Sequence, residues 1–168
     1  FVPQRLSLDL ETDTDRALVP GAQRPIDTEV RFLYGAPGTG LPLSGTVRLE
    51  RDPAPFANLD LAAGMSFGRH DDPFVETLMD LPEVVADGKG RAALPLSAGG
   101  RAEGATVPLR LRAVIRAREP GGRPVADDVR VPYRPQPVYL GLRAATGAAE
   151  RFERGTPARF DVLAVNRD

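Results

Sequence analysis

Between Val107 and Arg118 the chain alternates almost without a fault. Val107, Leu109, Leu111, Ala113, Ile115 and Ala117 share one parity, while Arg110, Arg112, Arg116 and Arg118 share the other. Side chains of a strand point to opposite faces with period 2, whereas a helix would spread these arginines around its axis. The segment therefore reads as a strand with one face in a core and one in water, as antiparallel sheets use. Val125 to Tyr133 repeats the parity with Val129, Val131 and Tyr133, after the turn residues Glu119-Pro120-Gly121-Gly122-Arg123-Pro124. Proline presets φ and glycine tolerates positive φ, so the two segments form a long antiparallel hairpin.

The same signature recurs along the chain. Arg5 to Glu11 places Leu6, Leu8 and Leu10 on one face. Thr28 to Glu50 reads as a hairpin-like unit, with strands near 28–34 and 44–51 around Gly35-Ala36-Pro37-Gly38-Thr39-Gly40, which continues neither helix nor strand. Asp87-Gly88-Lys89-Gly90 predicts a tight turn into a short strand at Arg91–Leu96, where Pro95 argues for a sheet edge. Asp52 to Pro82 is the least regular stretch. Phe56, Leu59, Leu61, Met65, Phe67, Phe74 and Leu78 give it apolar weight without a period. A structureless loop of that length is unusual, so one or two short strands or a helical turn are expected there. No segment carries a helical pattern. Seven or so turn-separated strands point to an all-β, antiparallel sandwich of immunoglobulin or fibronectin-like type.

Arg134-Pro135-Gln136-Pro137 reads as a stiff linker. Beyond it, 138–143 and 158–165 are strands that loosely repeat the spacing of the first two. The expectation is a domain over 1–135, followed over 136–168 by a linker and the first two strands of a second copy. The alternative is that both strands complete the first sandwich. A two-stranded piece is marginal in water, so it must lean on the first domain or pair with another chain. The chain opens on Phe1-Val2-Pro3 and stops at a strand end, which suggests a piece of a longer protein.

Composition narrows the chemistry. Net charge is −1, giving no general attraction to nucleic acid or an anionic membrane surface, and no apolar run is long enough to span a bilayer. All basic residues but Lys89 are arginine. There is no cysteine, hence no disulfide, thiol nucleophile or thiolate zinc site in this sequence. His70 is the sole histidine; with Asp71, Asp72 and Glu76 it sketches a metal site or acid–base pair, against the plainer reading of a solvated loop. Asp13-Thr14-Asp15 and Asp127-Asp128 are fragments of calcium-loop patterns without the central glycine and distal glutamate, and read as polar turns. Gly35, Gly38, Gly40 and Gly45 match no phosphate-loop spacing. Ser44, Ser66 and Ser97 lack a base other than His70. No catalytic residue, cofactor or metal is therefore assigned. The surface with most to offer is the arginine face at 110, 112, 116 and 118, as a grip for an acidic partner or a neighbouring domain, against a solvated outer sheet face.

Phe32-Leu33-Tyr34-Gly35-Ala36-Pro37 followed by Gly40-Leu41-Pro42-Leu43-Ser44-Gly45 resembles the Tyr-Gly-Ala-Pro, Gly-Leu-Pro run of bacterial alpha-2-macroglobulins. Phe1-Val2-Pro3-Gln4-Arg5-Leu6 resembles that family's domain opening, Pro53-Ala54-Pro55-Phe56 its Pro-x-Pro-Phe, and Asp87-Gly88-Lys89-Gly90 its Asp-x-x-Gly turn. Glu119-Pro120-Gly121-Gly122-Arg123-Pro124-Val125 resembles its Gly-Gly-Arg-x-Val hairpin, and Phe160 to Val165 the strand where its next domain begins. The resemblance implies a seven-stranded macroglobulin-like sandwich from a multidomain protease trap that is periplasmic or associated with the cell envelope. The fragment would be non-catalytic scaffold, touching neighbouring macroglobulin-like domains and, through the whole protein, proteases. The family's Cys–Gln thioester cannot lie in a chain without cysteine, and only 98–106 is loose enough to tempt comparison with a bait segment. The competing reading is an adhesion or ligand-binding sandwich of a cell-envelope protein.

Overall fold

A computed structural model of the chain describes residues 5–145, 154–155 and 157–167. Its strands form three antiparallel sheets. Sheet I has the order β1 (Leu6–Glu11), β2 (Arg24–Phe32), β6 (Arg91–Leu96). Sheet II has the order β5 (Thr77–Val85), β3 (Pro42–Arg51), β7 (Leu109–Ala117), β8 (Val125–Tyr133). These seven strands are the sandwich. Its core interleaves Leu6, Leu8, Ile26, Val30, Leu94 and Leu96 of sheet I with Leu43, Val47, Leu49, Leu109, Leu111 and Ile115 of sheet II. Sheet III is small and separate: β10 (Phe160–Asn166), β9 (Val138–Ala144) and the two-residue β4 (Ser66–Phe67). The one helical element among the described residues is a single 3-10 turn at Asp60–Ala62.

The β7–β8 hairpin stands as the alternation predicts, with Leu109 opposite Tyr133 and Ala117 opposite Val125. Leu109, Leu111, Ala113, Ile115 and Ala117 are all fully buried. Prolines sit where a missing N–H does no harm: Pro95 lies in edge strand β6 and Pro82 in edge strand β5.

The segment 28–50 is not a hairpin. β2 pairs with β1 and β6, and β3 pairs with β5 and β7, so the chain changes sheets between Phe32 and Pro42. The cause is local. After a turn closed by Phe32 N–H to Ala36 O (2.8 Å), Gly38 donates to Val30 O at 2.9 Å. A Cβ at Gly38 would lie 2.9 Å from both Val30 Cγ1 and Leu41 Cδ1. The glycine lets the strand end tuck beneath β2, and Leu41 then starts the crossing from a buried position.

The irregular stretch 52–82 holds the 3-10 turn, β4 and most of β5, within the expected range. Loop 98–106 is held against the sandwich, because Ala98 and Ala105 are buried against its core with Ala102 packed beside them.

Candidate functional site

A connected cluster of polar and aromatic side chains lies where the sandwich meets sheet III. Residues 52–76 leave the end of β3, pass through the 3-10 turn and β4, and return to β5. Call this excursion the arm. Both of its ends are pinned to the sandwich. At the first, Asp52 N–H donates to Pro108 O at 3.0 Å, and the Asp52 carboxylate meets Arg134 Nη2 at 2.8 Å. At the second, Asp72 Oδ2 accepts from Thr106 Oγ1 at 2.6 Å and from Thr106 N–H at 2.7 Å. Arg51 Nη2 also donates to Asp72 O at 2.9 Å. Burial pushes the Asp72 carboxyl up. Hydrogen bonds from Thr106 and Phe74, with the Arg51 charge, outweigh burial and hold it below the usual carboxylate value.

Arg134 is the centre of the first anchor. Its side chain is only 5% exposed. Nη1 donates to Leu109 O at 2.7 Å and to Tyr133 O at 3.3 Å, while Nη2 takes Asp52. Its guanidinium also lies 4.9 Å from the centroid of Phe56. A planar fork reaching two carbonyls, a carboxylate and an aromatic face at once is a task for arginine and not for lysine. Removing one member of a buried pair leaves the other charge uncompensated, at a cost of roughly 3–5 kcal/mol.

Phe56 carries the cluster across to sheet III. Its φ of 58° lies in the left-handed region, unusual for a residue with a Cβ. Its ring sits 4.9 Å from Phe67 and 5.7 Å from Tyr139, both tilted. Ala62, Phe67, Tyr139 and Val165 form a second small core, with Phe56, Met65 and Leu163 packed against it. Backbone pairing continues the contact: Ser66 opposes Leu142 and Phe67 opposes Gly141. A Cβ at Gly141 would lie 2.6 Å from the Phe67 ring, so only glycine leaves the ring its place. Arg143 Nη1 donates to Ala63 O at 2.7 Å. Gln136 Nε2 bonds the carbonyls of Glu103 and Ala105, and Gln136 N–H donates to Tyr139 Oη at 3.0 Å. The linker is thus bolted to loop 98–106 and to its own strand.

The arginine face divides in two. Arg110 pairs with Glu50 at 2.6 Å, and Arg112 with Asp128 at 3.2 Å, an aspartate that Arg130 also meets at 3.0 Å. Arg116 and Arg118 are exposed at the other end of the strand. His70 is exposed, Asp71 is paired with Arg69, and Asp72 serves the arm, so the three sequence neighbours do not converge. Among the described residues no three His, Cys, Asp or Glu side chains converge to hold a metal ion. Asp13 caps its own turn by accepting from the N–H groups of Asp15 and Arg16. The cluster at Asp52, Phe56, Phe67, Arg134 and Tyr139 escapes a reading by sequence spacing, because its members come from three separated segments. The aromatic density of the aperiodic stretch 52–82 is its one trace.

The sequence matches the model of the bacterial alpha-2-macroglobulin MG5 domain over residues 4–135. The chain belongs to the bacterial alpha-2-macroglobulin family. Solved alpha-2-macroglobulins share its fold. The Escherichia coli protein activated by porcine elastase superposes with a TM-score of 0.76 at 24% identity, over 99% of this chain and 14% of that one. Salmonella alpha-2-macroglobulin reacted with methylamine gives 0.72 at 25% identity, over 99% and 11%. The native conformation of the Escherichia coli protein gives 0.72 at 22% identity, over 99% and 11%. The chain therefore spans about a tenth to a seventh of the proteins it resembles. No curated protein sequence matches it.

Proposed function

We propose that this chain is a non-catalytic structural part of a bacterial alpha-2-macroglobulin-like protease trap, and that it holds neighbouring macroglobulin-like domains of the same protein in position. The observation that carries this reading is the joint itself. Arg134, Phe56 and Phe67 connect the sandwich to β9, a strand beyond the 4–135 span matched by the MG5 domain. Residues 1–135 are the macroglobulin-like sandwich. Residues 136–168 are a linker and the first two strands of a following domain of the same type.

A sequence repeat supports that division. Pro3-Gln4-Arg5-Leu6-Ser7-Leu8-Asp9-Leu10 has the pattern of Pro135-Gln136-Pro137-Val138-Tyr139-Leu140-Gly141-Leu142. Leu8, opposite Val30, is core; its counterpart Leu140, opposite Ala164, is 63% exposed. Val138, Leu142, Phe160 and Val162 share that exposed face, which has the make-up of half a sandwich core awaiting its other sheet. In this reading proteases meet the whole protein and not this part alone, in the periplasm or at the cell envelope.

The test uses the complete parent protein and the 168-residue chain side by side. The chain alone leaves protease activity unchanged, while the parent shields a protease from protein substrates. Extending the chain past 168 produces a second unfolding transition and buries Leu140 and Val162 against hydrogen exchange. Inhibition by the chain alone, or saturable binding of a glycan or protein to its loops, sinks the scaffold reading. Exchange at Leu140 unchanged by the extension sinks the domain division.

A further inference from the structure

We infer that the arm, residues 52–76, is a rigid coupling that makes the sandwich and the next domain turn as one body, with Arg134 as its positioning residue. The inference rests on 136–168 beginning a following domain, and adds to it how that domain is held. Domains joined by a bare linker move relative to one another by default unless the interface is extensive. Here several contacts converge. The arm lends β4 to the neighbouring sheet, beside β9. Its two ends are fixed to the sandwich through Asp52 and Asp72. Arg134, at the start of the linker, spends its hydrogen bonds on the sandwich and the arm. Its guanidinium also stacks on the ring that touches Tyr139 of the next strand. Gln136 ties the next residues of the linker to loop 98–106.

Two features mark this as a built device. Phe56 is held at positive φ, a conformation that persists only where surrounding contacts determine it. Gly68, which ends β4, has φ of +78°, and a Cβ there would meet Thr106 O at 2.5 Å. The arm's far side is therefore pressed onto the sandwich while its near side packs on Gly141. Contacts run through the linker and into β9: Arg134 and Gln136 hold the sandwich, Tyr139 accepts from Gln136, and Gly141 packs on the arm.

The absence of cysteine makes the test direct. Thiols introduced at the exposed positions Ala126, on β8, and Ala144, on β9, carry spin labels for pulsed distance measurement. The otherwise unsubstituted chain gives a single narrow distribution. Arg134→Met removes the fork, and Gly141→Val drives Phe67 and β4 off the sheet without touching the sandwich; each broadens the distribution about twofold or more. If Arg134→Met unfolds the sandwich, Gly141→Val alone decides. A broad distribution in the unsubstituted chain, or a narrow one kept by Gly141→Val, overturns the coupling. Both leave the domain division standing, since that is read from the extended chain.

Discussion

β1–β2 and β9–β10 are the same device in opposite surroundings. In β1–β2, Leu6, Leu8, Ile26 and Val30 face the core, and the other face carries Ser7, Asp9, Glu29 and Arg31 toward water. In β9–β10 the positions matching the core face are exposed and apolar. The opposite face, with Tyr139, Gly141 and Val165, is covered by the arm. A strand pair thus keeps its apolar parity whether that face is buried, as at Leu8 and Val30, or exposed, as at Leu140 and Val162. What distinguishes the two is the second face: polar where it meets solvent, aromatic and small where it meets another part of the protein. The contact between the arm and β9–β10 is written on the face that alternation would leave to water.

The largest expected difference comes from truncating matched positions. Leu8→Ala removes buried methyl groups and lowers the unfolding free energy by about 3 kcal/mol. Leu140→Ala changes it by no more than about 0.5 kcal/mol in this chain, because its side chain already meets water. Urea melts of both variants measure the contrast, and equal losses would break the comparison. A smaller effect tests the arm's far anchor. Asp72→Asn costs about 1–3 kcal/mol by weakening bonds that a charged acceptor makes to Thr106 and Phe74. The sign with pH follows from the depressed carboxyl. Its contribution is fully present above the ordinary value of 3.8 and is lost as pH falls below it, through the folded-state value. The unsubstituted chain's melting temperature should therefore drop more steeply in acid than that of Asp72→Asn, and parallel curves would contradict the assignment. The smallest effect concerns an outer face that does meet water: Arg116→Ala shifts stability by no more than about 0.5 kcal/mol, read by thermal melting.

How much of this could be read from sequence depends on which physical constraint the residues report. Alternation reports burial parity, so Leu6–Glu11, Leu109–Ala117 and Val125–Tyr133 were legible, with the faces they present. Parity does not say which sheet a strand joins. The crossing from β2 to β3 turns on the room at Gly38, which the hairpin-like alternation around it does not report. β5 was obscure because the sheet is irregular there: its register against β3 shifts between Leu43 and Gly45, and Pro82 interrupts its pattern. The joint was hidden for a different reason. Asp52 and Arg134 are 82 residues apart, and a buried arginine among prolines looks like any other linker residue until its partners are in place.

The placement of β4 bears on how such a protein avoids assembling wrongly. Chains of similar sandwiches contain similar strands, and β1 and β9 share a pattern close enough for exchange between neighbouring copies to be a hazard. An open strand edge is the template for that error. The edge of β9 away from β10 is taken by Ser66 and Phe67 from the same chain, seated on a glycine that fits the Phe67 ring. Freeing β9 for a foreign partner means withdrawing that ring and breaking Arg143 from Ala63. The arm is therefore also a check on strand identity, fastening the edge of β9 to its own chain.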